Sequence, residues 1–493
     1  MTETEFLALG RAGYNRIPLQ LETFADLDTP LSIYLKLAAR PGSYLLESVI
    51  GGERFGRYSI VGLPAREVLE CSRRHITLRR DGVMVDEAHE DPLAYVDRYL
   101  AGFKVPPSRS VLRFAGGLAG YFGYETVRHI EPRLAAIEKP DTLGLPEIRL
   151  LLADELAVVD NLSGKLHLIV YADPSQQGAY ASAQKRLQGL RAKLREPVAL
   201  PPQVTAPAIA ATAPRSNIGE QAFFDAVARC KRYITDGDIM QVQVSQRLSQ
   251  PFEQPPINLY RALRSINPSP YMFFFDFGDC QLVGASPEIL VRREGDKVTL
   301  RPIAGTRKRG ATPERDLEME RELTSDPKER AEHLMLIDLG RNDVGRIAKT
   351  GTVKVTETMA VERYSHVMHM VSNVEGIVDA SLTPMELLRA TFPAGTVTGT
   401  PKVRAMEIID ELEPDRRGVY AGAAGYLGFN GDVDLAIAIR TGVLKDGQLH
   451  VQAAAGVVAD SIADNEWRET QNKARALLAA AELANAGVDK PLE

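Results

Sequence analysis

Two segments in the C-terminal half of the chain each carry a pair of glutamates three residues apart. The first pair is Glu329 and Glu332, the second Glu466 and Glu469. On a helix, positions i and i+3 share a face, so each segment presents two carboxylates side by side. If the two faces converge, four hard oxygen donors meet in one place. Such donors suit Mg²⁺, which is held by a few carboxylates and otherwise keeps water or substrate oxygens. An exposed face is the ordinary fate of paired glutamates. Here, however, Leu334, Leu336, Ile337 and Leu339 make the stretch after Glu332 largely apolar. A carboxylate buried there needs a partner or a metal.

Other residues could act on an anion. The run PAGTVTGTPK (393–402), with Thr396 inside it, is rich in glycine and hydroxyls and ends in Lys402. Such a loop can bring backbone N–H groups and hydroxyls to a carboxylate or phosphate, or it can be a tight turn. The P-loop spacing is absent. The turn PIAGTR (302–307) offers Gly305, Thr306 and Arg307, the last as a bidentate anion donor or as part of a surface hairpin. Arg440 follows the apolar run Leu435–Ile439, and so either emerges into solvent or reaches into a site. His369 stands in the apolar stretch 367–371, as a structural residue or an acid/base.

The elements that must position these groups are legible as periodicities. Before residue 196 come strands such as 147–152 and 165–171 and a helix over 176–195. Pro197, Pro201, Pro202, Pro207 and Pro214 then mark 196–219 as a Pro/Ala-rich linker or surface crossing. After it, a helix is expected over 219–236 and strands at 240–246, 271–277, 281–284, 289–293 and 297–302. One long helix follows at 314–340. Strands at 352–358 and 366–378, a helix near 383–390, strands at 421–429, 433–443 and 447–458, and a helix over 463–486 complete the chain. Hairpin-spaced strands rather than strict strand–helix alternation favour an α+β fold with antiparallel sheets. The expected units are an N-terminal domain (1–195), the linker (196–219) and a catalytic domain (220–487).

Composition narrows the class. The chain has 493 residues, 44% apolar, with net charge −6 and no long basic run. That profile is globular and excludes nucleic acid and anionic membrane as expected partners. Cys71, Cys230 and Cys280 form no CxxC, so neither a disulfide framework nor a zinc knuckle is read. No signal peptide or membrane span is legible, and a cytoplasmic location is expected.

Ten ordered motifs carry a family resemblance across nearly the whole chain. They are GDIMQVQVSQR (237–247), NPSPYM (267–272), GASPE (284–288), PIAGTR (302–307), KERAEHLMLIDLGRND (328–343), PAGTVTGTPK (393–402), GVYAGAAGY (418–426), DLAIAIRT (434–441), AAAGVVADS (453–461) and NEWRETQNK (465–473). With them the chain resembles the chorismate-utilising enzymes, most closely the anthranilate synthase large-subunit family. The resemblance implies large antiparallel sheets packed face to face with helices outside. It implies a lyase that converts chorismate and ammonia to anthranilate and pyruvate, the first step of tryptophan biosynthesis. It makes Glu329, Glu332, Glu466 and Glu469 the Mg²⁺ ligands, directly or through water. Tyr420 and Arg440 become holders of the enolpyruvyl carboxylate, and Lys473 and Gly456, with Gly305 and Thr306, substrate binders. His369 and Thr396 become catalytic. His366 would face the other side of its strand and takes no role.

Two positions choose among family members. Gln241 stands where the water-using isochorismate enzymes have a lysine base, which favours ammonia as nucleophile. Ala304 stands where aminodeoxychorismate synthases, the nearest alternative, show lysine in a PIKGT motif. The cysteines lack the setting of a glutaminase nucleophile, so a separate glutamine amidotransferase subunit is implied as ammonia donor. Glu47 and Ser48, in Tyr44–Ser48, resemble the family's tryptophan-inhibition motif. With Asn267, Pro268, Tyr271 and Met272 they would form an inhibitor pocket away from the metal. The remaining rival is a catalytically silent, tryptophan-binding subunit.

Overall fold

The computed structural model describes residues 1–48, 56–107, 112–203, 213–364 and 367–489. Among them, the strands form two antiparallel sheets of twelve strands each. The first sheet runs in the order Ile17–Phe24, Lys165–Ala172, Glu155–Asp160, Tyr58–Gly62, Ser43–Glu47, Tyr271–Asp276, Cys280–Ser286, Thr441–Lys445, Gln448–Val457, Gln241–Pro251 and Arg215–Ser216. The second runs Ile303–Lys308, Val367–Ile377, Lys297–Leu300, Ile289–Glu294, Val433–Ile437, Ala423–Gly428, Gly117–Phe122, Ile148–Ala153, Glu67–Ser72, His75–Arg80 and Val83–His89. Gly399–Thr400 joins the first sheet at its Gln241–Pro251 strand, and Lys354–Arg363 joins the second at Val367–Ile377.

The sheets pack face to face. Tyr44, Phe273, Phe275 and Leu282 of the first meet Tyr121, Leu151 and Tyr426 of the second in one apolar layer. Helices close the outer faces. Helices Pro256–Ile266 and Ala463–Ala486 cover the first sheet through Tyr260, Leu263, Leu477 and Ala481. Helices Pro327–Gly345 and Pro384–Thr391 cover the second through Ile337, Val344, Leu387 and Leu388. Each fully buried side chain of this size contributes about 1.5–3 kcal/mol.

Both sheets cross the expected division at 196–219. Ser43–Glu47 pairs with Tyr271–Asp276, and Gly117–Phe122 with Ala423–Gly428. The boundary is one of sequence and not of hydrogen bonding; residues 204–212 of the expected linker lie outside the described residues.

Two elements differ from the periodic reading. The helix expected over 314–340 is two helices, Pro313–Ser325 and Pro327–Gly345. Asp326 caps both, and Pro327 lacks the N–H that a continuous helix would need. The strand expected over 433–443 breaks at 438–440, where the chain leaves the second sheet for the first. Arg440 turns the corner with φ +51°, a left-handed conformation uncommon outside glycine. An apolar run reads as one strand whichever sheet it belongs to, so only the tertiary pairing shows the break.

Candidate active site

The first glutamate helix is capped at its first turn, and an exposed ion pair links it to the segment just before the second. The Asp326 carboxylate accepts from the N–H of Lys328 at 2.9 Å and of Glu329 at 3.3 Å. Lys328 pairs with Asp460 at 3.2 Å, tying this helix start to the segment that enters Ala463–Ala486. Glu329, Glu332, Glu466 and Glu469 are all partly buried. Glu329 accepts from Arg307 at 2.9 Å, Glu332 from the Gln241 amide at 3.2 Å, and Glu469 pairs with Lys473 at 2.6 Å. Burial raises the proton affinity of Glu332. The Gln241 bond opposes this, Glu329 and Glu469 add to it, and Lys473 opposes it. Glu466 is raised by burial too, with Ser461 opposing and Glu469 adding.

Among the described residues, no group of three or more His, Cys, Asp or Glu side chains is gathered closely enough to hold a metal as the side chains stand. The four glutamates are neighbours rather than a closed shell. Their chemistry still fits a hard divalent cation. Two of the carboxyls are held above their ordinary range beside like charges, a crowding that a cation would relieve.

Residues 302–307, expected as a turn, instead run into the bulged edge strand Ile303–Lys308 of the second sheet, which closes one side. Gly305 bulges out of the pairing with Val367–Ile377 and has φ +65°. A Cβ there would lie 2.7 Å from Leu323 Cδ1 and 3.0 Å from Glu329 Oε2. Only glycine lets this backbone approach the first glutamate. Arg307, an anion donor in the sequence reading, is instead shared by Glu322, Asp326 and Glu329 at 2.9–3.0 Å. His369 Nδ1 lies 3.1 Å from the Gly305 carbonyl and 3.0 Å from the Thr306 hydroxyl. A carbonyl only accepts, so Nδ1 carries the ring proton and Nε2 keeps its lone pair. Burial lowers the proton affinity of His369, the Gly305 bond opposes this, and nearby Arg440 lowers it further. The imidazole is neutral at pH 7, as a base must be. His366 lies outside the described residues.

Arg440 is the cationic centre of the pocket. Its guanidinium makes no ion pair among the described residues, and it is close enough to Tyr420, Glu469 and Glu288 to feel all three; burial lowers its proton affinity. Tyr420 is buried and its hydroxyl lies at the Ala454 backbone. Glu288 was missed as a functional residue. It stands at the start of strand Ile289–Glu294, and burial pushes its carboxyl up to about 8 against the pull of Thr396, the Ile303 backbone and Arg440. Among the described residues the buried Thr396 hydroxyl closes no full hydrogen bond, but it lies close enough to Glu288 to oppose the rise. Its sequence signals were a carboxylate leading an apolar run and its place at the end of the GASPE (284–288) motif.

The last wall is the strand Gln448–Val457. Lys473 Nζ donates to the Ala454 carbonyl at 2.9 Å as well as pairing with Glu469. A Cβ on Gly456 would lie 2.6 Å from the Gln241 amide and 2.8 Å from the Gln243 amide. Lys402, expected to face an anion, instead pairs with Asp343 at 2.8 Å and anchors its loop to the glutamate helix.

A second cavity, of about 70 Å³, lies between the sheets. Glu47, Ser48, Tyr271 and Met272 line it with Arg292, Tyr426 and Asp434; Asn267 and Pro268 are not among its lining residues. Asn267 caps the C-terminus of helix Pro256–Ile266, which turns that pair aside. Glu47 accepts from the Tyr260 hydroxyl at 2.5 Å and from Arg264 at 3.1 Å. The Tyr271 hydroxyl donates to Asp434 at 3.0 Å and accepts from Arg292 at 2.6 Å.

Residues 68–479 match the family described as chorismate binding enzyme. Anthranilate synthase component 1 of Neisseria meningitidis (serogroup A) is 56% identical over 493 residues, covering 99% of this chain and 100% of the relative. The Pseudomonas putida component 1 is 56% identical over 490 residues, covering 98% and 99%. The crystal structure of anthranilate synthase component I from Streptococcus pneumoniae superposes with a TM-score of 0.74 at 38% identity, over 92% of this chain and 98% of that one. The menaquinone-specific isochorismate synthase of Escherichia coli, 18% identical over 97% and 99% of the two chains with a TM-score of 0.71, shares the fold. The chain belongs to the chorismate binding enzymes, and within them to the anthranilate synthase component 1 group.

Proposed function

We propose that this chain is the aminating subunit that converts chorismate and ammonia to anthranilate and pyruvate, working in the cytoplasm with a glutaminase partner. The observation that carries the reading is Arg440, a half-buried guanidinium with no ion pair among the described residues, near Tyr420 and the buried Glu288, whose carboxyl is pushed up to about 8. A planar fork suits a carboxylate, and a neutral carboxyl suits protonation of a leaving hydroxyl.

Arg440 and Tyr420 hold the enolpyruvyl carboxylate. Lys473 and the Gly456 backbone face the ring side. Glu288, kept neutral by burial, hands its proton to the C4 hydroxyl, which leaves as water while ammonia bonds to C2, and the C2 ammonium so formed returns a proton to the Glu288 carboxylate. His369 Nε2 takes the C2 proton while Gly305 and Thr306 hold Nδ1 in place. Pyruvate then leaves and the ring aromatises. Each placed proton donor or acceptor contributes roughly 10²–10⁴-fold. When bound among Glu329, Glu332, Glu466 and Glu469, Mg²⁺ supplies carboxylate neutralisation and Lewis acidity. Gln241, engaged with Glu332, is no base for water. Ala304, paired across to Met370, offers no amine to the ring. The inter-sheet cavity suits tryptophan as a feedback inhibitor, with Glu47 and Ser48 at its polar end.

The test is direct. Purified protein given chorismate, an ammonium salt and Mg²⁺ forms fluorescent anthranilate without an added lyase. A non-fluorescent aminated chorismate instead would favour the aminodeoxychorismate reaction. Glutamine replaces ammonia only when a glutaminase component is added.

A further inference from the structure

Arg417 is among the largest fully buried side chains of the molecule. Its Nε and one Nη bond the Glu413 carboxylate at 2.9 and 2.6 Å. The other donors go to two backbone carbonyls, Val397 and Gln243, both at 2.7 Å. Its guanidinium carbon lies 4.9 Å from the Tyr124 ring centroid and 5.5 Å from that of Tyr420. Glu413 is held in turn by the Ser245 N–H and hydroxyl, each at 2.8 Å. Glu125 takes the backbone N–H of Arg417 and Gly418, each at 3.0 Å.

These bonds join three walls of the substrate pocket that are remote in sequence. Val397 follows Thr396. Gln243 lies two residues from Gln241, opposite Gly456 in the sheet. Tyr420 is the proposed carboxylate ligand. A lysine at this position has one point charge and cannot reach two carbonyls and a bidentate carboxylate at once. The cation also stands against the Tyr420 ring, where it opposes the rise in phenol proton affinity caused by burial. A phenol beside a cation is a stronger hydrogen-bond donor.

Building on the reading above, we infer that Arg417 is a positioning residue that sets Tyr420 and the Thr396 turn for the substrate carboxylate. It acts through Tyr420 and touches no substrate itself. The readout is equilibrium binding of chorismate, supported by melting temperature and circular dichroism. Arg417→Lys is expected to raise the chorismate Kd about tenfold or more in the folded protein. In a Tyr420→Phe background the same change is expected to cost markedly less, because its route is already cut.

A folded Arg417→Lys protein with unchanged Kd overturns the inference. So does a cycle in which the two effects simply multiply. If Arg417→Lys does not fold, Glu413→Gln, which loosens the fork and keeps the cation, is read in the same cycle. Failure of both to fold would make the role purely structural and overturn the inference. Wild-type protein that binds chorismate without forming anthranilate would sink the reaction assigned above and leave this cycle readable.

Discussion

A carboxyl pushed up to about 8 is made by its surroundings: Glu288 is buried, and the Thr396 hydroxyl, the Ile303 backbone and Arg440 oppose the rise only in part. Its folded value of about 8 lies above the ordinary 4.5. The stability it contributes is therefore complete below pH 4.5 and is lost as pH rises through about 8. Glu288→Gln should flatten the fall in melting temperature over that window. The same substitution removes the proton donor, so kcat should drop by roughly 10²–10⁴-fold. In the wild type, kcat should decline as pH rises past about 8, and a flat alkaline limb would count against the donor role. Arg440→Lys keeps the charge and loses the fork; chorismate KM should rise by about 10–100-fold with a smaller change in kcat, measured by steady-state fluorescence.

At the scale of elements, the site depends on close approach between a bulged edge strand and a helix. Gly305→Ala puts a Cβ at φ +65° and 2.7 Å from Leu323 Cδ1. The left-handed backbone alone costs about 1–2 kcal/mol. The displaced Gly305 carbonyl would also free the His369 ring. Activity should fall more than the melting temperature implies, and loss of both in proportion would make the effect purely one of folding. The glutamate helices give a metal prediction of their own. Saturating Mg²⁺ should raise the melting temperature, because a ligand at 100 times its Kd stabilises by about 2.7 kcal/mol. In a Glu329→Gln, Glu466→Gln double variant that shift should vanish with turnover, and a retained shift would place the ion elsewhere.

At the scale of the whole molecule, the two sheets make one body from both halves of the chain. Cleavage between residues 196 and 219 should leave two pieces that stay associated in gel filtration. Residues 1–195 made alone should fail to melt cooperatively, since the Ser43–Glu47 and Gly117–Phe122 strands lose their partners. The inter-sheet cavity is wired into the same body. Its wall strands Ile289–Glu294, Ala423–Gly428 and Val433–Ile437 continue to Glu288, Tyr420 and Arg440. Ser48→Ala should therefore relieve tryptophan inhibition with turnover retained, as read from a tryptophan titration of rate. Unchanged sensitivity would remove the cavity from consideration.

Most of the strand and helix periods and the i, i+3 spacing of the two glutamate pairs were set by local pattern, because burial of one face imposes a countable spacing. So was the antiparallel α+β class. What the chain order could not reveal is who stands opposite whom. Arg307 and Lys402 look free in sequence, yet the fold gives them to Glu329 and Asp343. Glu288 looks ordinary, yet folding strips its water and pushes its carboxyl up to about 8. Arg440 looks like the end of a strand, yet it marks the passage between sheets. Charge partnership and desolvation depend on distances between remote segments, and those exist only once the sheets have closed on each other.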